Sequence, residues 1–387
     1  MRTKPAARPD EYVDHVVAGL GAFGSATCWE LARRGHSVIG LERFELGHSR
    51  GASHDTSRIL RHSYHTPSYV ALSQEAYFDW ARLEQASRAA LVTKVGGLDL
   101  FPPDAAIESV DYTSSMDELG VAYELLDHEE VAARWPQFRL PPETLALYQP
   151  DAAIVPAGVG TRLMQDLARR QRADLRAHCP VTGVREGLVV STPQGNIRCG
   201  GLVVCADAWV NDVLGHLGVH VPVEVTLEQV TYFQGGPSFE DIPLWIWMDD
   251  PSYYGFPCYG EATVKASQDC GGPVIDPEAR TSDPDRGMQA RLATFMSSLL
   301  PEVGKPVRSV RCQYTLTPDR DFVISPVPGH PNVVVGLGAA HGFKFAPTFG
   351  RLLADLVIDG ATSTDLTPYR LDRPALTDPD YQAHWLV

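Results

Sequence analysis

The run Val16-Val17-Ala18-Gly19-Leu20-Gly21-Ala22-Phe23-Gly24 constrains this chain more than any other stretch. An apolar, β-branched run leads into the glycines, and a helix-compatible run, Ser25 to Arg34, leads out. A second apolar run, Val38-Ile39-Gly40-Leu41, ends at Glu42. The pattern predicts a β-α-β unit over about residues 13–44 that binds a dinucleotide. Gly19 permits the tight turn, Gly21 lets a pyrophosphate approach the backbone, and Gly24 lets helix and strand pack closely. Free N–H groups at the helix start point at the phosphates. Glu42 is placed to accept hydrogen bonds from ribose hydroxyls, which disfavours NADP and leaves FAD and NAD open.

The 387 residues suit one large domain or two modest ones, and 44% hydrophobic content supports a full core. A net charge of −15 with no run of Lys or Arg speaks against nucleic acid and against an anionic membrane surface. A locally basic site for an anionic small molecule remains compatible with it. No apolar stretch reaches the roughly 18 residues a membrane span needs. The segment Met1–Glu11 carries Arg2, Lys4 and Arg8 but no following apolar run, so it reads as a loose tail. The terminal His384-Trp385-Leu386-Val387 matches no targeting signal, and the cytoplasm is the expected compartment. Seven cysteines, an odd number with no C-x-x-C pair, suggest neither a disulfide framework nor a metal site.

Beyond the first unit, periodicity predicts helices over about 67–86, 107–119, 128–134, 158–172, 283–300 and 347–358. Thr66 before Pro67 suits an N-cap followed by proline at the first helical position. Strands are expected at 97–101, 181–190, 201–205 and 332–338, with more in the aromatic-rich stretch 221–275. Leu202-Val203-Val204-Cys205-Ala206 is a continuous apolar run of the kind found in parallel sheets. The late strand-turn-helix, Val333 to Ile358, needs that same sheet, so the domains should be interleaved. Segments 11–84, 151–217 and 318–387 would form the nucleotide domain, and 85–150 and 218–317 the substrate domain. The expected fold class is α/β plus α+β, a Rossmann-type domain interleaved with a mixed β-sheet domain.

Four further signatures are separated along the chain. They are Gly51-Ala52-Ser53-His54-Asp55-Thr56-Ser57-Arg58-Ile59-Leu60-Arg61-His62-Ser63-Tyr64, Tyr253-Tyr254-Gly255-Phe256-Pro257 with Val264-Lys265, Arg311-Cys312-Gln313-Tyr314-Thr315-Leu316-Thr317-Pro318-Asp319, and Ala340-His341-Gly342-Phe343-Lys344. With these in order over nearly its whole length, the chain resembles the monomeric sarcosine oxidase family of flavoproteins. That family also holds N-methyltryptophan oxidase and the peroxisomal pipecolate and sarcosine oxidase. The resemblance selects FAD over NAD.

The resemblance implies roles. Cys312 matches a cysteine bonded through sulfur to the flavin 8α position, so covalent FAD is expected. Attack requires a thiolate, which neighbouring positive charge favours, and Arg311 is adjacent in sequence. Lys265 matches a lysine beside flavin N5. A fixed cation in a dry site would stabilise the anion formed when oxygen accepts its first electron. Arg61 and Lys344 match residues that clamp a substrate carboxylate. Tyr254 and Tyr314 match tyrosines lining the substrate cavity. His54 and Arg58 match residues beside the flavin ring, where a cation would stabilise reduced flavin. Gly336, Gly338 and Gly342 would let backbone N–H groups approach the flavin edge, and Arg43 and Val181 join Gly19, Gly21, Gly24 and Glu42 as expected cofactor contacts.

Two positions depart from the family. Asp269 stands where sarcosine oxidase has an active-site histidine, so it either recognises an ammonium on the substrate or faces away. Asp207 stands where the family usually has glycine. The reading is an FAD oxidase of a secondary, N-methyl or cyclic amino acid, giving an imine and hydrogen peroxide. A monomer acting on a small-molecule substrate with oxygen is expected. Two alternatives stay open: a dehydrogenase serving another electron carrier, and a low-turnover flavin-bearing assembly subunit.

Overall fold

The computed structural model describes residues 11–383. Residues 1–10 of the N-terminal tail and the terminal tetrapeptide at 384–387, both considered above, lie outside the described residues.

The nucleotide-binding unit forms as its spacing predicts: strand Glu11–Ala18, helix Ala22–Arg33 and strand Val38–Leu41. Strand Glu11–Ala18 lies parallel between Val38–Leu41 and Gly195–Val204. His330–Leu337 continues the sheet parallel to Gly195–Val204, and Asp174–Arg176 adds a parallel strand beside Val38–Leu41. Val323–Val327 then pairs antiparallel with His330–Leu337. The central strands are apolar on both faces because both are covered. One face packs on helices Ala22–Arg33, Pro67–Ser87, Ala157–Arg170 and Ala346–Asp359 through residues such as Leu31, Trp80, Met164 and Phe349. The other is covered by Val210, Val213, Leu214 and a hairpin.

That hairpin corrects one expectation. Residues 181–190 are not one strand but two, Gly183–Arg185 and Val189–Thr192, paired antiparallel. Gly187 and Leu188 both take positive φ, which reverses the chain there. Apolar residues on both sides of Gly187 masked the turn. Thr66 does sit at the start of its helix, yet its side chain makes no capping bond to the helix backbone. Pro67, with its fixed φ, is what sets that start.

A second sheet of eight strands runs in the order 306–316, 224–234, 263–268, 253–255, 244–247, 97–101, 145–149 and 124–126. Only the Gly97–Phe101 and Leu244–Trp247 pair is parallel. The first sheet therefore draws its strands from 11–41, 174–204 and 323–337, and the second from 97–149 and 224–316. A small sheet, Ser57–Leu60 with Ala153–Pro156 and Thr93–Lys94, lies outside both. No helix among the described residues is long and apolar enough to cross a membrane.

The glycine turn shows why the first unit closes so tightly. A Cβ on Gly24 would lie 1.8 Å from the Gly19 carbonyl oxygen, which is backbone and cannot yield. Gly35, by contrast, has positive φ, which Gly24 has not, but meets nothing within 4 Å. Gly24→Ala should therefore lower unfolding free energy by at least about 2 kcal/mol through overpacking. Gly35→Ala should cost only about 1 kcal/mol, the left-handed backbone penalty. Urea unfolding of the two variants beside wild type measures the difference.

Candidate active site

A cavity of about 1160 Å³ runs from the Gly19–Gly24 turn to the inner face of the second sheet. At its first end, Glu42 is 5% exposed. Its carboxylate accepts hydrogen bonds from Leu20 N–H at 2.8 Å and Phe44 N–H at 3.0 Å, with His48 at 3.4 Å. Burial pushes this carboxyl up, but His48 and the two N–H groups outweigh it and hold it below the usual range. A Cβ at Gly21 would meet only the Ser53 side chain, so the backbone there is open to a ligand. Val181 borders the same end. Arg43 reaches the rim, where it pairs with Glu278 at 2.8 Å and lies over Trp209.

Farther in, strand periodicity decides which side chains face the cavity. Along Pro306–Leu316, Arg308, Val310, Cys312 and Tyr314 line it. Arg311 points the other way and donates to the Leu227 carbonyl at 3.0 Å, so it is not the cation beside Cys312. Arg58, Lys265 and Arg280 are, but burial wins and pushes the thiol up to about 11.

Lys265 pairs across the sheet with Tyr232, and Tyr232 with Arg308, placing all three on one row. Lys265 is 3% exposed. Its Nζ lies 2.7 Å from Asp55 Oδ2 and donates to the Ser57 carbonyl at 3.0 Å. Burial and the nearby Arg58 lower this ammonium to about 8, against the opposing pull of Asp55.

His54 stands on the loop before strand Ser57–Leu60, and Arg58 is the second residue of that strand. Arg58 donates to the carbonyls of Ser57, Ala52 and His54 at 2.8, 2.8 and 3.0 Å, which fixes the loop. Burial, with Arg58 and Arg280, lowers His54 to about 4, so it is neutral and cannot be the expected cation. Gly336, Gly338 and Gly342 line the cavity, but packing requires their missing Cβ atoms. Leu353 occupies the space at Gly336, and Phe23 that at Gly338 and Gly342.

At the opposite end Arg61 and Lys344 converge. Arg61 lies 4.8 Å and the Lys344 ammonium 5.5 Å from the centre of the Tyr64 ring. Arg61 Nη1 donates to both Asp99 oxygens, at 3.0 and 3.1 Å, and to Ser63 at 3.1 Å. Burial pushes the Asp99 carboxyl up against the pull of Arg61. Burial with the adjacent Arg61 and Arg320 drives the Lys344 ammonium well down. The Tyr254 and Tyr314 hydroxyls meet at 3.3 Å in the cavity wall. Asp269 borders the cavity, and its Oδ2 pairs with Arg320 at 2.6 Å. Asp207 has φ +47°, which explains why glycine suits this position; aspartate is among the side chains that tolerate it. Burial raises its carboxyl, beside Thr315 and Gln313.

Three partners escaped sequence reasoning: Asp55, Asp99 and Arg320. Asp55 lies within the 51–64 signature, but no spacing rule links it to Lys265. Asp99 and Arg320 carry no local signal.

The residues from 14 to 356 match the family described as FAD dependent oxidoreductase. The chain belongs to that family. It is similar to the monomeric sarcosine oxidase of Streptomyces avermitilis, 35% identical over 370 residues that cover 90% of this chain and 94% of the relative. The peroxisomal sarcosine oxidase of Homo sapiens is 32% identical over 390 residues, covering 95% and 97%. Among solved structures, NikD, an unusual amino acid oxidase essential for nikkomycin biosynthesis, is 29% identical with a TM-score of 0.83 over 93% of this chain and 97% of that one. The L-proline dehydrogenase of P. horikoshii, 21% identical with a TM-score of 0.83 over 94% and 97%, shares the fold.

The cavity of this FAD dependent oxidoreductase fits its cofactor on independent grounds. On its wall the buried His54 Nε2 has no hydrogen-bond partner among the described residues. Such atoms await a polar ligand. Arg61 Nε is likewise buried without a partner at the far end. Among the described residues no cluster could hold a metal ion.

The Arg61–Asp99 pair yields a test. Removing one partner of a buried pair leaves the other charge uncompensated, at a cost of about 3 kcal/mol or more. Asp99→Ala should lower unfolding free energy by about that amount. Chemical denaturation of variant and wild type, both stripped of flavin or both carrying it, measures the change.

Proposed function

We propose that this protein is an FAD-dependent oxidase of a secondary amino acid, N-methyl or cyclic. The carrying observation is that Lys265, Cys312 and the Arg61–Lys344 pair all border one cavity. The similarity to sarcosine oxidases and to an amino acid oxidase supports the substrate class.

FAD would lie with its pyrophosphate at Gly21 and its adenosine ribose at Glu42, and it supplies the two-electron redox chemistry. Cys312, on the inner face of its strand, would bind the flavin covalently. Arg61 and Lys344 would hold the substrate carboxylate, Arg61 through donors other than the Nη1 already given to Asp99. Tyr254 and Tyr314 would wall the substrate and exclude water, which strengthens those charge interactions. The amine gives up a hydride from its C–H bond and the proton of its N–H bond, two electrons and two protons in all, to become an imine, which water hydrolyses or which rearranges in a ring. Oxygen takes two electrons and two protons to become hydrogen peroxide. Lys265 would stabilise the negative charge that forms first on oxygen. Its presence favours oxygen over another carrier as acceptor. The reading is of a monomer, working in the cytoplasm.

Covalent attachment has a direct test. Acid-precipitated wild-type protein should stay yellow, with its intact mass raised by one FAD. Cys312→Ser should release its flavin on denaturation. Full release from wild type would rule out the bond.

The substrate class is tested by oxygen uptake on N-methyl and cyclic amino acids, beside the matching amines without a carboxylate. Lys344→Met should lower kcat/KM for the acids by at least about 30-fold, since losing one contact to a buried charge costs roughly 2–5 kcal/mol. It should affect the amines far less. An equal loss on both, or a wild type that prefers the amines, would sink the carboxylate clamp.

A further inference from the structure

Lys265 is not a solitary cation. We propose that Asp55 is the positioning residue for Lys265: its carboxylate fixes the ammonium at the cavity wall and keeps it protonated for oxygen reduction. This rests on the oxidase reading above and deepens it, by naming what sets the working pH range of the oxygen step.

The geometry is specific. Asp55 Oδ2 lies 2.7 Å from Lys265 Nζ, and Asp55 Oδ1 accepts the Tyr232 hydroxyl at 2.6 Å. The Tyr232 hydroxyl also meets Thr56 Oγ1 at 2.9 Å, and the Arg308 guanidinium covers the Tyr232 ring at 3.4 Å. Each oxygen of the carboxylate is thus committed to one partner, and the partner on the far side is itself held. Asp55 adopts φ +77°, a conformation that side chains rarely take. Aspartate tolerates it better than most residues, and a strained backbone persists only where its surroundings hold it.

The charges around Lys265 make the pair matter. From the 51–64 segment come Asp55, Arg58 and His54, from the 224–234 strand Tyr232, and from the 306–316 strand Arg308 and Cys312. His54 is neutral, with its proton lost above about 4. Arg58 repels the ammonium, so Asp55 is the main group opposing its deprotonation. Burial pushes the Asp55 carboxyl up, and Lys265 and Tyr232 pull it down to about 2, so it is ionised throughout the working range. The sign follows. Lys265 is charged below about 8 and neutral above it, so the oxygen step should weaken as pH rises through that region. Without Asp55 the ammonium loses its proton at lower pH.

The test uses the flavin-loaded protein in stopped flow, with flavin reduction by substrate and reoxidation by oxygen followed separately from pH 6 to 10. Lys265→Met should slow reoxidation at least about a hundredfold, and reduction by less than about tenfold. Asp55→Asn should move the wild-type inflection of reoxidation down by at least about one pH unit. At pH 8 it should slow reoxidation at least about tenfold more than reduction. Asp55→Glu should restore part of the shift. Asp55→Gly removes the carboxylate while suiting the positive φ, so it reports the same shift should Asp55→Asn fold poorly. Thermal unfolding adds a readout without turnover. Asp55→Asn and Lys265→Met should each lower the melting temperature by about 4 °C or more, and the double variant by less than their sum. An unmoved inflection in Asp55→Asn and Asp55→Gly, with Lys265→Met still slow, overturns the Asp55 role alone. Fast reoxidation in Lys265→Met overturns the oxygen-activation reading and the Asp55 role with it.

Discussion

Charge burial governs the working half of this molecule. Cations gathered in one dry cavity repel one another and lose hydration, so each needs compensation from the protein. The chain supplies carboxylates one by one: Asp55 to Lys265, Asp99 to Arg61 and Asp269 to Arg320. Lys344 is the exception in kind. Its ammonium lies 5.5 Å from the centre of the Tyr64 ring, and burial drives it down. A cation held this way gains most from an arriving anion, which fits the place a substrate carboxylate would take.

The two sheets divide the labour physically. The first has a parallel centre covered on both faces, and it offers a helix start and Glu42 at its edge. The second is mostly antiparallel and presents one face of alternating side chains to the cavity. Long, well-paired strands make that face rigid, so Lys265, Cys312 and Tyr314 stand at fixed spacing. The pairings at Asp269–Arg320 and Arg61–Asp99 join segments far apart in sequence. They tie the substrate end to both halves of the fold.

Much of the architecture was legible in the residues. The glycine turn, the flanking strand and helix, and the buried run at 202–206 each depend on neighbours within a few positions, and local spacing reports them faithfully. The hairpin at 183–192 was not legible, because an apolar run hides a turn unless the backbone conformation at Gly187 and Leu188 is known. Lys265 in a strand reads as solvent-facing by composition alone, and only the resemblance marked it. Arg311 shows the opposite trap: adjacency in sequence places it on the far face of its strand from Cys312.

The sequence by itself determined the nucleotide-binding start, for which short-range spacing and steric rules suffice, while the chemistry-bearing side chains were marked by the family resemblance. The tertiary structure decided which charges meet. It paired Asp55 with Lys265, Asp99 with Arg61 and Asp269 with Arg320, and it buried His54. Electrostatics in a low-dielectric interior depends on distance and burial, and neither is written in the order of residues along a chain.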